Sequence, residues 1–302
     1  MKKAGLLSLL SMLLVPAMGL CGGAWVPQPG DGDVQLGFSR KTASSSWDTD
    51  GETFRNLNGQ GQVSYHDFRY AYLSGEIGLL RRLSTRFLVT YLDGFEGPHN
   101  DLEQNTGMSD AWFGLKYAVA EGSWPMAVGA TMRTAYFYDL PGAYNRALFD
   151  SQGQRRGVSP EWRGLLKEDY SLTYLLSHSY LEGRGWMNFE TGYTWRAGAP
   201  ADQIPVSAEV GYPLPFLGAA VKGSLYYVRS QGNVSPRQLD DRFGSGAVTN
   251  FNDASMGRLG VSFLAPLDRS GKTNLEIGYN QWVWGISARR YREPFLSVGR
   301  SF

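Results

Sequence analysis

Four glutamates stand two residues before a glycine: Glu76 and Gly78, Glu190 and Gly192, Glu209 and Gly211, Glu276 and Gly278. Each lies in a stretch that alternates apolar and polar residues with period two, on the polar side of the alternation. Lys116, Lys222, Arg133 and Arg258 fall on the polar side of similar stretches. Unlike charges brought together in an enclosed, partly dry space must pair, because an unpaired charge there is costly. A ring of such pairs either filters the ions that pass it or holds the enclosure shut. Glycines beside long charged side chains leave room for them in a small interior.

Covalent chemistry has weaker support. A hydrolase needs a nucleophile with a base in reach. His178 has Leu176 and Tyr180 at spacing two, while Ser177 and Ser179 fall on the opposite face. His66 and His99 have no serine at that spacing, and Asp48 and Asp50 are not followed by an Asp-x-His. The chain is therefore read as no enzyme. Asp48-Thr49-Asp50-Gly51-Glu52 is rich in oxygen but lacks the rest of an EF-hand spacing, so it reads as a solvated loop tip. No metal or other cofactor is expected. A net charge of +1 gives no electrostatic case for nucleic acid.

These charges must be positioned by strands. Alternating segments are expected at 34–38, 68–80, 86–95, 108–119, 126–138, 169–181, 186–196, 204–214, 219–230, 256–267, 273–285 and 295–302. Connections alternate short and long, which with strands of about ten residues describes an all-β, up-and-down antiparallel transmembrane barrel of about 12 strands. The longest connections, 42–62, 139–167 and 231–255, share one end. Apolar residues such as Met187, Phe189, Val206, Val210, Leu259 and Val261 must face out, because a charge at the bilayer midplane costs about 2–4 kcal/mol. Outward aromatics then mark two rims: Tyr136, Tyr193, Trp195 and Tyr227 at one, Tyr117, Tyr212 and Phe302 at the other. On the same assignment His178 faces the headgroups.

Residues 1–24 read as a signal peptide, with Lys2 and Lys3 ahead of an apolar core from Leu6 to Leu20. Gly22 and Ala24 supply the small residues of a cleavage site after Ala24, leaving 25–302 as a single barrel domain. Cys21 follows Leu20, which is too large for a lipidation site.

The final stretch, Phe295-Leu296-Ser297-Val298-Gly299-Arg300-Ser301-Phe302, resembles the closing strand of Gram-negative outer-membrane barrels. Phe302, Val298 and Leu296 match that pattern, and Arg300 departs from it. The resemblance implies that Phe302 is an assembly signal read by the barrel-assembly machinery and that this strand pairs with the first. With Gly23-Ala24-Trp25, Pro27, Gly30 and Val283-Trp284-Gly285, the chain is similar to porin-like transporters of the phenol meta-cleavage type. That family implies a monomer in the cell outer membrane, contacting lipid and lipopolysaccharide and passing small solutes. Glu76, Lys116, Arg133, Glu190, Glu209, Lys222, Arg258 and Glu276 then become candidates for the lumen constriction. The segment 139–167 holds the place of a porin's constricting third loop, or of a cap over the mouth. The alternatives are a closed structural or accessory barrel for attachment or envelope assembly, and an outer-membrane lipid hydrolase. Aromatic-hydrocarbon channels carry a long N-terminal plug, and the lead from Trp25 to Asp33 is too short for one.

Overall fold

The computed structural model describes residues 23–47, 50–55, 63–98, 103–134, 168–196, 202–214, 217–231, 254–286 and 288–302. In chain order the strands are β1 (Gly32–Ala43), β2 (Ser45–Trp47), β3 (Thr53–Arg55), β4 (Ser64–Leu80), β5 (Leu83–Pro98), β6 (Glu103–Ala120) and β7 (Met126–Thr134). They continue with β8 (Asp169–Tyr180), β9 (Gly185–Arg196), β10 (Asp202–Leu214), β11 (Ala219–Gln231), β12 (Ser255–Pro266), β13 (Thr273–Ile286), β14 (Ala288–Arg289) and β15 (Arg292–Ser301). All but β2, β3 and β14 join one closed antiparallel barrel of 12 strands, and those three form a small separate sheet. Closure is between β1 and β15, with Leu36 opposite Val298 and Phe38 opposite Leu296. Every strand of the barrel therefore has two partners, and the barrel sheet closes on itself.

Short turns gather at one end of the barrel, and the alternation of side chains decides what each wall presents. Leu36, Phe38, Val128, Leu172, Val210, Leu225, Val261, Ile277 and Leu296 are exposed on the outside. Trp195 is exposed at the far rim, and Tyr117, Tyr212 and Phe302 at the short-turn rim. Tyr193 lies against Trp195 at 5.0 Å between ring centroids, and Tyr227 against Trp284 at 5.5 Å. A ladder irregularity at Gly257/Arg258 skips Val283, so Val283 and Trp284 are both exposed. Arg300 is exposed beside Thr273, where its head reaches water. His178 stacks on Trp124 at 4.2 Å and its Nδ1 lies 2.7 Å from the Ser123 carbonyl oxygen, an interfacial clasp.

Two boundaries differ from the sequence reading. The polar segment 42–62 holds the end of β1 and the whole of β2 and β3, strands too short to show a period. Trp47 of β2 packs with Trp282 and Ala288 in a buried cluster. In addition β4, β5 and β6 run for 17, 16 and 18 residues, against 9 for β7. Their far ends lacked an apolar signal because their outer faces are ionic. Arg40 donates to both oxygens of Asp67 at 2.8 and 2.7 Å, Arg69 lies 3.6 Å from Asp67 and 3.7 Å from Asp93, and Thr106 donates to Asp93 at 2.8 Å. Tyr136, His99 and the segment 139–167 lie outside the described residues.

The turn between β12 and β13 is built on Asp268. Its carboxylate accepts from the Ser270 hydroxyl at 2.7 Å and from the amides of Lys272 and Thr273 at 3.1 and 3.0 Å. Hydrogen bonds from Thr273 and Ser270 hold its pKa down to about 2. A depressed folded-state pKa means that its support is complete above the ordinary carboxylate value and is lost as pH falls through the folded one. Asp268→Ala is therefore expected to lower the urea midpoint of the barrel by a constant amount above pH 4. That gap should close as pH falls towards 2; a gap unchanged at pH 2 would refute this account of the turn.

Candidate functional site: the charged lumen

Towards the short-turn end, inward side chains form a band of paired charge. Lys116 on β6 reaches past β5 to Glu76 on β4, with Nζ 2.7 and 2.8 Å from the two carboxylate oxygens. Ser84 donates to the same glutamate at 2.5 Å. Lys116 is 1% exposed, so a full ammonium is held out of water by this pair. Asp33 stands opposite Glu76 in the β1–β4 ladder. Across the barrel, Lys222 on β11 lies 2.7 Å from Glu276 on β13 and 3.4 Å from Glu209 on β10. Ser262 donates to Glu276 at 2.7 Å, while the Trp186 indole and the Asn188 amide donate to Glu209 at 2.9 and 3.2 Å. Glu190 on β9 lies 3.9 Å from Arg86 on β5.

A second tier sits further along the barrel. Arg133 on β7 is bonded to Asp169 and lies 3.7 Å from Asp110, and Asp169 is also 3.6 Å from Arg196. Arg258 on β12 lies 3.7 Å from Glu293, which Lys41 approaches at 3.8 Å. Aromatic faces line this tier: the Arg133 guanidinium is 5.9 Å from the Trp112 ring centroid, Arg258 is 5.3 Å from Tyr226 and 5.4 Å from Trp282, and Lys41 is 4.7 Å from Tyr70. Between the tiers lies a cavity of about 420 Å³, bordered by Arg86, Trp112, Arg133, Asp169, Glu190 and Tyr226.

The eight candidates thus fall into two groups. Glu76 with Lys116, and Lys222 with Glu209 and Glu276, meet one another. Glu190, Arg133 and Arg258 meet residues outside the set, namely Arg86, Asp110, Asp169 and Glu293. Parity within the strand was a usable signal for Arg86 and Asp110. It was not usable for Glu293, which lay before the expected start of the last strand. The glycines of the Glu-x-Gly pairs make room chiefly for neighbours other than the charges. A side chain at Gly78 would strike the backbone of Pro27 and Gln28, one at Gly211 the Trp186 ring, and one at Gly278 the Phe295 ring.

The N-terminal lead is the largest surprise. Although short, it enters the barrel. Gly23 and Ala24 are buried, and Ala24 packs on Ala127 and Leu175. The Ala24 amide donates to the Ser177 hydroxyl at 2.7 Å, and Lys116 donates to the carbonyls of Gly23 and Trp25 at 2.8 and 2.6 Å. Trp25 packs on Trp186, Ala220 and Leu264 across the lumen. Gln28-Pro29-Gly30-Asp31 then turns back, with the Asp31 amide donating to the Gln28 carbonyl at 2.9 Å and Gly30 at φ 86°. That is a type II turn, which places proline second and needs glycine third. Length was the wrong criterion: nine residues laid flat cross a narrow lumen that they could not fill.

No protein-family model matches the chain, and no curated protein matches it by sequence. Among solved structures, the COG4313 outer membrane channel from Pseudomonas putida F1 superposes with TM-score 0.62 at 11% identity, over 94% of this chain and 99% of that one. The transport unit of the autotransporter AIDA-I from Escherichia coli gives 0.49 at 10% identity, over 97% of each chain. The CymD monoaromatic hydrocarbon channel gives 0.47 at 10% identity, over 97% of this chain and 92% of that one. The first likeness establishes the fold; the other two are too loose to carry an argument.

Proposed function

Starting from a barrel whose fold matches an outer membrane channel, we propose that this chain is a monomeric outer-membrane channel for small solutes, exported by a signal peptide. The outer wall is apolar between two aromatic rims, which suits contact with lipid and, at the far rim, lipopolysaccharide. Phe302, at the closing seam, serves as the signal to the assembly machinery. The observation that carries the channel reading is the interior. It is polar, charged at two levels, and retains about 420 Å³ of space between them. A solute entering from the far end meets arginines on aromatic faces first and the Glu–Lys band second. Glu76, Lys116, Glu190, Glu209, Lys222 and Glu276 form the constriction, with Arg133 and Arg258 above it. The residues contribute charge and shape, and no bond is made or broken.

A second reading, a closed accessory barrel, is favoured by one specific observation: the lead crosses the lumen at the level of the band. Planar-bilayer recording separates the two. Purified protein is expected to give small single-channel steps, and Glu209→Gln is expected to shift the reversal potential in a KCl gradient towards anions. A correctly folded, heat-modifiable barrel that gives no steps would support the accessory reading instead.

A further inference from the structure

We infer that the segment Gly23–Asp31 is an intraluminal latch that closes the short-turn end of the barrel, and that it stays on the mature chain. The inference rests on the channel reading and adds a gate to it. Three attachments carry the argument, each on a different part of the wall. At the first, Ala24 is seated between Ala127 and Leu175, with its amide on Ser177. A side chain on Gly23 would strike Ser177 and Asn188, so the wall fits glycine closely at that point. At the second, Trp25 fills the space before Trp186, Ala220 and Leu264. At the third, Gly78 accepts from the Gly30 amide and donates to the Asp31 carbonyl, both at 2.9 Å, and only its missing side chain lets the segment lie down.

Lys116 ties these to the charge band. One ammonium spans Glu76 and the carbonyls of Gly23 and Trp25. Its three protons have three protein acceptors, so holding the segment satisfies a cation that has no water to turn to. A peptide that supplies two of the three partners of a buried lysine is part of the folded wall and is not a loose end. The same fit bears on processing. A cut after Ala24 would remove the Gly23 carbonyl and the Ala24 amide, and would place the new α-ammonium of Trp25 beside the side-chain ammonium of Lys116, where like charges repel. The geometry therefore points to a mature chain that begins no later than Gly23.

Four measurements test this. The intact mass of the purified protein is expected to include Gly23 and Ala24; a chain beginning at Trp25 would overturn the latch. In a Cys21→Ser background, which removes the sole native cysteine, Ala24→Cys with Ala127→Cys is expected to form a disulfide under mild oxidant. The locked protein should show the lowest conductance and recover on reduction; failure to crosslink in a folded barrel would overturn the placement. Joining a foreign signal peptide directly to Pro29 is expected to raise single-channel conductance at least threefold. Gly78→Val does the same by pushing the segment off β4, and covers the case in which the truncated chain folds poorly. Conductance equal to wild type in both variants, each heat-modifiable, would sink the gate while leaving the channel reading intact. A crosslink that forms in a barrel conducting in no variant would sink the channel reading and the gate with it.

Discussion

Lys222→Met is expected to lower the stability of the folded barrel by about 3–5 kcal/mol, the cost of stranding a buried charge by removing its partner. Lys222 is the cation between Glu276 and Glu209, and the Glu276 side chain is only 3% exposed. Ser262 remains as a donor to Glu276, but one hydroxyl cannot replace an ammonium. The reading is the urea midpoint in lipid vesicles, followed by tryptophan fluorescence. Adding Glu276→Gln to Lys222→Met is expected to recover a large part of the loss, because removing both members of a buried pair costs far less than removing one. A loss below about 1 kcal/mol would mean that water screens these groups as it does on a surface. The band would then be a wet passage with no dry seal, and the selectivity change of Glu209→Gln should be correspondingly large.

Deleting Phe302 is expected to cut the amount of folded, heat-modifiable barrel in the outer membrane severalfold. Its amide donates to the Gly32 carbonyl at 3.0 Å and its carbonyl accepts from the Gly32 amide at 3.2 Å, so this residue forms the end of the β1–β15 seam. Its ring lies over Gly32, and elsewhere it is exposed at the short-turn rim. Losing it removes two hydrogen bonds at the seam between the first and last strands, and the aromatic that anchors that seam at the interface. Purified, refolded protein lacking Phe302 should unfold only slightly earlier than wild type. A large effect on yield with a small one on stability is the mark of an assembly signal; equal effects would assign Phe302 a structural role only.

How much of this was legible in the sequence depends on what each face of a strand touches. Where one face met lipid and the other the lumen, as in Met187 to Trp195 or Leu259 to Phe263, period two was plain and the register followed from it. Where the outer face met water, as at Asp67, Arg69 and Asp93, the outward file was charged while Phe68 and Leu92 turned inward, so the sense of the alternation was reversed and the strands were read as shorter than they are. The charge band was visible because each glutamate sat inside such an alternation. Its partners were harder to identify. Lys116 pairs with Glu76 from beyond an intervening strand, and a closed wall brings together residues that no local pattern links. The lead offered no period at all. Its place is set by shape: a seat for Ala24, a slot for Trp25, and a bare backbone at Gly78.

The ion pairs on the outer face of β4 and its neighbours also fix how deep the barrel floats. Arg69 and Asp67 sit just above Ala71 and Leu73 on the same outward file of β4, so the change from charge to hydrocarbon takes place within a single step of the strand. Sinking by one outward residue, about 7 Å along the strand, would carry Arg69 into the edge of the bilayer, on the way to a midplane where a charge costs about 2–4 kcal/mol, and rising as far would lift Ala71 into water. Trp195, Tyr227 and Trp284 mark the opposite side of the same waterline. The hull therefore has one draught, and its tall flank from β4 to β6 stands clear of the surface as a freeboard that no other strand shares among the described residues.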